Sequence, residues 1–275
     1  RELFQLCTTN QWSYEEAKSG LADGAWKKKI VPVLYRPFDI RVTIYDSHVA
    51  VHLRERATSH LLQSETLALL STRQTKDQWD VGVTRQIPAH KSICRYDIGY
   101  VFPIVRSAVA GRPTNISASF RAVLDDVLGH PSDSGPYAEK IFHYIYAVLH
   151  SPAYRQRYAA FLRTDFPRIP IPGSRAVFDA LARLGSQLVQ WHLLEHPDAS
   201  KIIATSARPV SATAFFGTDF SLQKVAEKGK ALADLSGDVG KVFINASSGF
   251  ANVRQGVWQH TIGGYQVLHK WLDDR

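Results

Sequence analysis

The chain has 275 residues, enough to bury a sizeable core as one large domain or two small ones. Hydrophobic residues at 45% and aromatics at 11% exclude a disordered chain, and no apolar run reaches the length that crosses a bilayer. A formal net charge of +8 suits a polyanionic partner, of which nucleic acid is the commonest, although a merely basic protein has the same charge.

No signal-peptide pattern opens the chain. Two cysteines, Cys7 and Cys94, lack metal or redox spacing and read as free thiols in the reducing cytoplasm. A sequence that opens on Arg1 and holds no methionine reads as a piece of something longer.

In chain order, Ser13 with Glu16 forms a capping box, so a short helix is predicted over 13–18. Lys27, Lys28 and Lys29 follow, either as a solvated edge that blocks wrong pairing or as a phosphate contact. An apolar run over 30–34 leads into YRPFDIR (35–41), and a second over 40–45 leads out. The residue before proline is driven out of the helical region, so the Arg36-Pro37 step makes this a strand, a hard corner and a strand. Arg36 and Arg41 flank Asp39 there. Either Asp39 pairs with an arginine and fixes the corner, or it aims one at a phosphate or a guanine edge.

A helix is predicted over 54–63, with Arg54, Arg56 and His60 on it. Strands are predicted over 66–72 and 79–84, and each runs into Arg-Gln: Arg73-Gln74 and Arg85-Gln86. Arginine forks onto guanine and glutamine onto adenine. Such side chains where strands give way to loops are well placed to read a groove, and the two pairs together argue more than either alone. A loop over 87–96 brings His90, Lys91 and Arg95, a buried strand covers 99–105, and a Gly/Pro loop over 106–115 carries Arg106 and Arg112.

The helical half follows. A helix is predicted over 120–128, a breaker cluster over 129–135, and an amphipathic helix over 137–150. Ser151-Pro152 restarts a helix whose apolar face is Tyr154, Tyr158, Phe161 and Leu162, with Arg155, Arg157 and Arg163 on solvated sides. The spacing is that of a helix-turn-helix, but the aromatic face is more simply core. FPRIPIP (166–172) is an extended connector lying across the fold. A long amphipathic helix over 174–195 comes next, then a variable stretch to about 240, strands over 241–245 and 252–257, and a closing helix over 265–271. The expected fold class is α+β: a mixed sheet with flanking helices and one long helix, its strand-rich recognition part over 1–135 and helical support with C-terminal strands and helix over 136–275.

Several blocks carry a resemblance. YRPFDIR with TIYD (43–46), LLSTRQ (69–74), YAVLHSPAYRQRYAAFLRTDFPRIPIP (146–172), KVFIN (241–245) and VWQHTIGGYQVLHKWLDDR (257–275) together resemble the C-terminal specificity domain of Type ISP restriction-modification enzymes. The resemblance runs from about Tyr35 to the end. It implies a parent chain with nuclease, ATPase and adenine-methylase parts upstream, which use Mg²⁺, ATP and S-adenosylmethionine. This piece would then supply sequence specificity without chemistry or cofactor of its own, its partners being double-stranded DNA and the upstream methyltransferase domain, with no membrane.

The residues agree that catalysis lies elsewhere. No Asn-Pro-Pro-Tyr or Asp-Pro-Pro-Tyr is present to hold a flipped adenine, and there is neither a glycine-rich cofactor signature nor a P-loop. Glu16-Ala17-Lys18 is a helix surface rather than a nuclease core. One motif points another way: His192, Glu195 and His196 fit H-x-x-E-H, a zinc hydrolase pattern, though Pro197 favours ending the helix there. A third reading is a protein-interaction module using the 174–195 helix. On the first reading, residue chemistry assigns base-edge contacts to Arg73, Gln74, Arg85, Gln86 and Lys91. Arg36, Arg41 and Arg112 are positioning or structural residues.

Overall fold

The computed structural model describes residues 8–63, 66–129, 135–199, 214–217, 233–235, 237–245 and 247–274. Serines start four of its helices. Ser13 accepts from the Glu16 amide ahead of α1 (Tyr14–Gly20), and Ser117 from Phe120 ahead of α3 (Ala118–Leu128). Ser151 accepts from Tyr154 ahead of α5 (Pro152–Arg157), and Ser174 from Val177 ahead of α7 (Arg175–His192). Each satisfies an amide that the helix itself leaves without a partner. Gly129 closes α3 in the left-handed region.

The fold class is α+β, and its strands divide into several small sheets. β1 (Ile30–Arg36) and β2 (Asp39–Ile44) form an antiparallel hairpin across the Pro37-Phe38 corner. β1 pairs on its other side, in parallel, with the two-residue β5 (Ile87–Pro88), which the sequence presents as loop. A second sheet has the order β4-β3-β6, formed by β3 (Ala68–Thr72), β4 (Val81–Thr84) and β6 (Gly99–Pro103), all antiparallel. The short α2 (Glu55–Leu62) leads into β3. Near the C-terminus β7 (Ala214–Phe216), β10 (Gly249–Arg254), β9 (Val239–Phe243) and β8 (Ala233–Asp234) make a third sheet in that order. After α8 (Gln255–Trp258), β11 (Thr261–Ile262) and β12 (Tyr265–Gln266) form a hairpin on Gly263 and Gly264, and α9 (Val267–Asp273) follows.

The main core joins the strand-rich and helical halves. Leu67, Trp79, Val81 and Val83 pack with Leu124 of α3, with Ile141, Tyr144 and Leu149 of α4 (Gly135–His150), and with Phe178 and Val189 of α7. At the closest approach of α4 and α7, a Cβ on Gly185 would stand 1.8 Å from the His143 carbonyl oxygen, so only glycine admits the neighbouring backbone. Tyr154 and Leu162 are buried, but the backbone breaks at Tyr158 into α5 and α6 (Ala159–Leu162), and Tyr158 is exposed. The proline-rich connector lies across this core. The Tyr144 and Tyr154 hydroxyls donate to the carbonyls of Pro170 and Arg168, and Phe166 packs edge-on against Tyr100 and Phe102.

Candidate nucleic-acid interface

The corner at 35–41 is built around Tyr35, whose ring carries two guanidinium groups, Arg36 and Arg41, each 4.1 Å from its centroid. Asp39 is almost fully buried and accepts from Arg41 through Nε at 3.1 Å and Nη2 at 2.9 Å. This holds the arginine above its usual pKa. Arg41 Nη2 also donates to the Asp274 carbonyl, so the hairpin is tied to the C-terminal helix. The partner that fixes the corner is thus Arg41. Arg36 turns away, donates to the carbonyls of Tyr35 and Lys91, and lies 5.3 Å from the Tyr265 ring centroid. Between them, Phe38 makes the turn at φ 60 with its ring exposed.

The loop from Ala89 to Gly99 is held from beneath. The Ala89 amide donates to Leu34, the Gly99 amide to His90, and the Arg95 amide to Gly263 at 2.9 Å. The Tyr265 hydroxyl donates to the carbonyls of Lys91 and Cys94. Cys94 is a buried free thiol, whereas Cys7 lies outside the described residues. The side chains of His90, Lys91, Arg95 and Tyr96 point outward from this framework and are exposed. Arg54, also exposed, donates to His90 Nδ1 at 3.1 Å.

The two Arg-Gln pairs do not form one cluster. β3 and β4 are antiparallel, with Ala68 opposite Thr84 and Ser71 opposite Val81, so Arg73-Gln74 and Arg85-Gln86 leave opposite ends of the sheet. Both arginines also have carboxylate partners. Arg73 Nε donates to Asp165 at 3.2 Å, and Arg85 forks onto Glu195 at 2.9 and 3.2 Å. Gln74 is exposed. The half-buried Gln86 joins a local Thr84 turn through its backbone. Arg112 is exposed at φ 45 in the 106–115 loop.

The zinc motif is taken apart by the fold. α7 ends at His192, and Leu194 adopts φ 60, so the three residues do not share a helix face. Glu195 is engaged by Arg85, His196 stacks on Trp191 with centroids 4.0 Å apart, and His192 turns inward to the Tyr146 hydroxyl. Among the described residues no group of three His, Cys, Asp or Glu side chains is arranged to hold a metal ion.

A buried polar network escaped sequence reasoning. Arg155, read as solvated, pairs with buried Asp80 at 2.8 Å and donates to the Leu149 carbonyl and to His150 Nδ1. Asp80 accepts in turn from the Val81 and Gly263 amides. Burial, then the charge of Arg155, pushes the His150 imidazole down to about 3, and burial lowers His192 too. These side chains border a cavity of about 480 Å³ between the β1–β2 corner, the end of α7 and the β11–β12 hairpin. The spacing of Asp80 and Arg155, 75 residues apart, gives no local signal that they meet.

Residues 2–275 match the family model of the Type ISP C-terminal specificity domain. The chain belongs to this family. Solved structures share the fold of the specificity domain. One is a DrdV–DNA complex, with TM-score 0.63 and 24% identity over 90% of this chain and 24% of that one. A second is a nuclease-deletion mutant of the Type ISP restriction-modification enzyme LlaGI in complex with a DNA substrate mimic, with TM-score 0.59 and 19% identity over 90% of this chain and 17% of that one. A third is the ATP-dependent Type ISP restriction-modification enzyme LlaBIII bound to DNA, with TM-score 0.60 and 16% identity over 96% of this chain and 17% of that one. The specificity domain therefore spans about a quarter or less of each. Comparison with curated proteins gives no match. Among the described residues no helix is long and apolar enough to cross a membrane.

Proposed function

We propose that this specificity domain reads a base sequence in duplex DNA on behalf of a restriction-modification enzyme, and positions that DNA for adenine methylation and cleavage by other domains of the same polypeptide. The family match over residues 2–275 carries the reading. The net charge of +8 and the rigidly held cationic loop support it. The DrdV, LlaGI and LlaBIII structures, each with DNA or a DNA mimic, suggest the same partner. S-adenosylmethionine, ATP and Mg²⁺ would serve those other domains, so nothing in this domain's role runs through them.

Base-edge reading falls to Gln74 and Gln86 first, because neither amide is tied to a charged group. Arg73 and Arg85 can read guanine only by leaving Asp165 and Glu195. Arg36 and Arg41 act as positioning residues that hold the corner. The test is a binding titration of the chain with duplex DNA at rising salt. With about four phosphate contacts, affinity should fall on the order of 10²-fold between about 50 and 200 mM salt. Binding that ignores salt would overturn the reading.

A further inference from the structure

Several of the domain's described cations are committed to carboxylates. Lys29 is with Asp46, Arg41 with Asp39, Arg73 with Asp165, Arg85 with Glu195, Arg155 with Asp80, and Lys140 and Arg175 share Asp179. Another group gathers around the 89–99 loop without a carboxylate. Arg54, His90 and Lys91 are all exposed, Arg54 meets His90 where α2 begins and the 89–99 loop passes, Lys91 follows His90 in that loop, and none of the three makes an ion pair. We infer that Arg54, His90 and Lys91 form a seat for a backbone phosphate of bound DNA. The inference rests on the DNA-reading function proposed above and assigns the contact within it.

The hydrogen-bond chemistry fits an anion. Arg54 Nη2 donates to His90 Nδ1, which puts the imidazole proton on Nε2. That leaves an imidazole N–H, the rest of the Arg54 fork and the Lys91 ammonium as donors, with no acceptor among them. Burial comes first in lowering the His90 pKa, and the charges of Arg54, Lys91 and His52 lower it further. The ring thus sits in a positive field that an arriving phosphate would neutralise. Glu55, next to Arg54 in the first turn of α2, is exposed and makes no ion pair with Arg54 or Lys91.

The seat is also built before any ligand arrives. The Lys91 carbonyl is held by both Arg36 and Tyr265, the His90 carbonyl accepts from Gly99, and the Ser92 amide donates to Ala89. Arg54 itself stands at φ 53, a region that a bulky side chain seldom occupies and that often marks functional sites. Lys91 is thereby reassigned from a base edge to the backbone. A backbone contact sets register and affinity and does not choose among sequences.

The test compares wild type with Arg54→Asn, which keeps a residue tolerant of positive φ, and with Lys91→Ala. Fluorescence anisotropy of several unrelated duplexes across salt is the readout. Each variant should lower the slope of log affinity against log salt by about 0.9 and weaken all duplexes alike. Either variant keeping the wild-type slope, or shifting preference among duplexes, overturns the seat. Failure of wild type to bind, or a flat salt response in wild type, instead overturns the function on which it rests. NMR titration of the His90 ring adds a second readout. Its pKa should rise when duplex is added, and an unmoved pKa counts against the seat even if affinities fall.

Discussion

Replacing Gly263 with alanine should loosen the loop that carries the candidate interface residues. Gly263 lies at φ 53, and a Cβ there would sit 1.8 Å from the Ile93 carbonyl oxygen. A left-handed backbone costs an alanine about 1–2 kcal/mol, and forcing apart two packed backbones costs about 1–3 kcal/mol more. The shift would strain three hydrogen bonds: Arg95 amide to Gly263 carbonyl, Gly263 amide to Asp80, and Tyr265 hydroxyl to Lys91 carbonyl. The loss should therefore be about 2–5 kcal/mol, a fall of roughly 4–10 °C in Tm for a domain this size. Gly264 supplies the control. Its φ is 80, but its Cβ would meet only the Asp77 carboxylate, the movable end of a side chain, at 2.3 Å. Gly264→Ala should cost about 1–2 kcal/mol. Urea unfolding of both variants decides the matter. Equal losses, or a Gly263→Ala midpoint indistinguishable from wild type, would show that the hairpin does not press on the 89–99 loop as described.

Other substitutions report on the buried charges. The depressed pKa of His150 means that the unfolded chain takes up its proton first, below the ordinary value near 6.5, so stability should decline as pH falls from there toward 3, by up to roughly 1.4 kcal/mol per pH unit. His150→Gln should make the loss between pH 7 and 5 shallower in urea melts, and an unchanged pH slope would contradict the assignment. Lys29 and His48 hold the Asp46 carboxylate well below its usual range; its stabilisation is present above the ordinary value near 3.9 and fades as pH falls further. Acid unfolding of Asp46→Asn should consequently be flatter below about pH 4. Asp39→Ala strips Arg41 of its partner, and because Arg41 remains a third exposed the cost should be about 2–3 kcal/mol, read from the same melts.

Local signals were legible where a short stretch decides the outcome. Ser13, Ser117, Ser151 and Ser174 sit where their hydroxyls cap the next turn, so helix starts follow from adjacent residues. The Arg36-Pro37 step marks the corner, and the apolar runs on either side are strands as expected, which the structure pairs antiparallel. The one mixed sheet anticipated from the sequence became several because strand partners are chosen by tertiary packing. The two-residue β5 is a strand only because β1 lies beside it. The end of α7 was placed three residues late: Pro197 warns of a stop, but the turn is made earlier, at Leu194, by a backbone conformation no residue type announces.

The candidate interface residues were legible in kind and less so in arrangement. Arg-Gln twice at strand ends suggested one reading head, but antiparallel pairing sends the two to opposite edges. Asp165 and Glu195, each about a hundred residues away along the chain, then claim the arginines. Arg155 stands on a short helix whose pattern leaves it in solvent, and only the approach of β4 brings Asp80 to it. Lys91 was singled out by its loop, whereas the contact of its neighbour His90 with Arg54 depends on α2 docking beside that loop.

Selection of bound fragments from a pool of random duplex DNA tests the central claim most directly. The account predicts that the chain enriches one short base sequence, and that added salt weakens capture of all duplexes while leaving that preference in place. Recovery of an unbiased pool at low salt would contradict it.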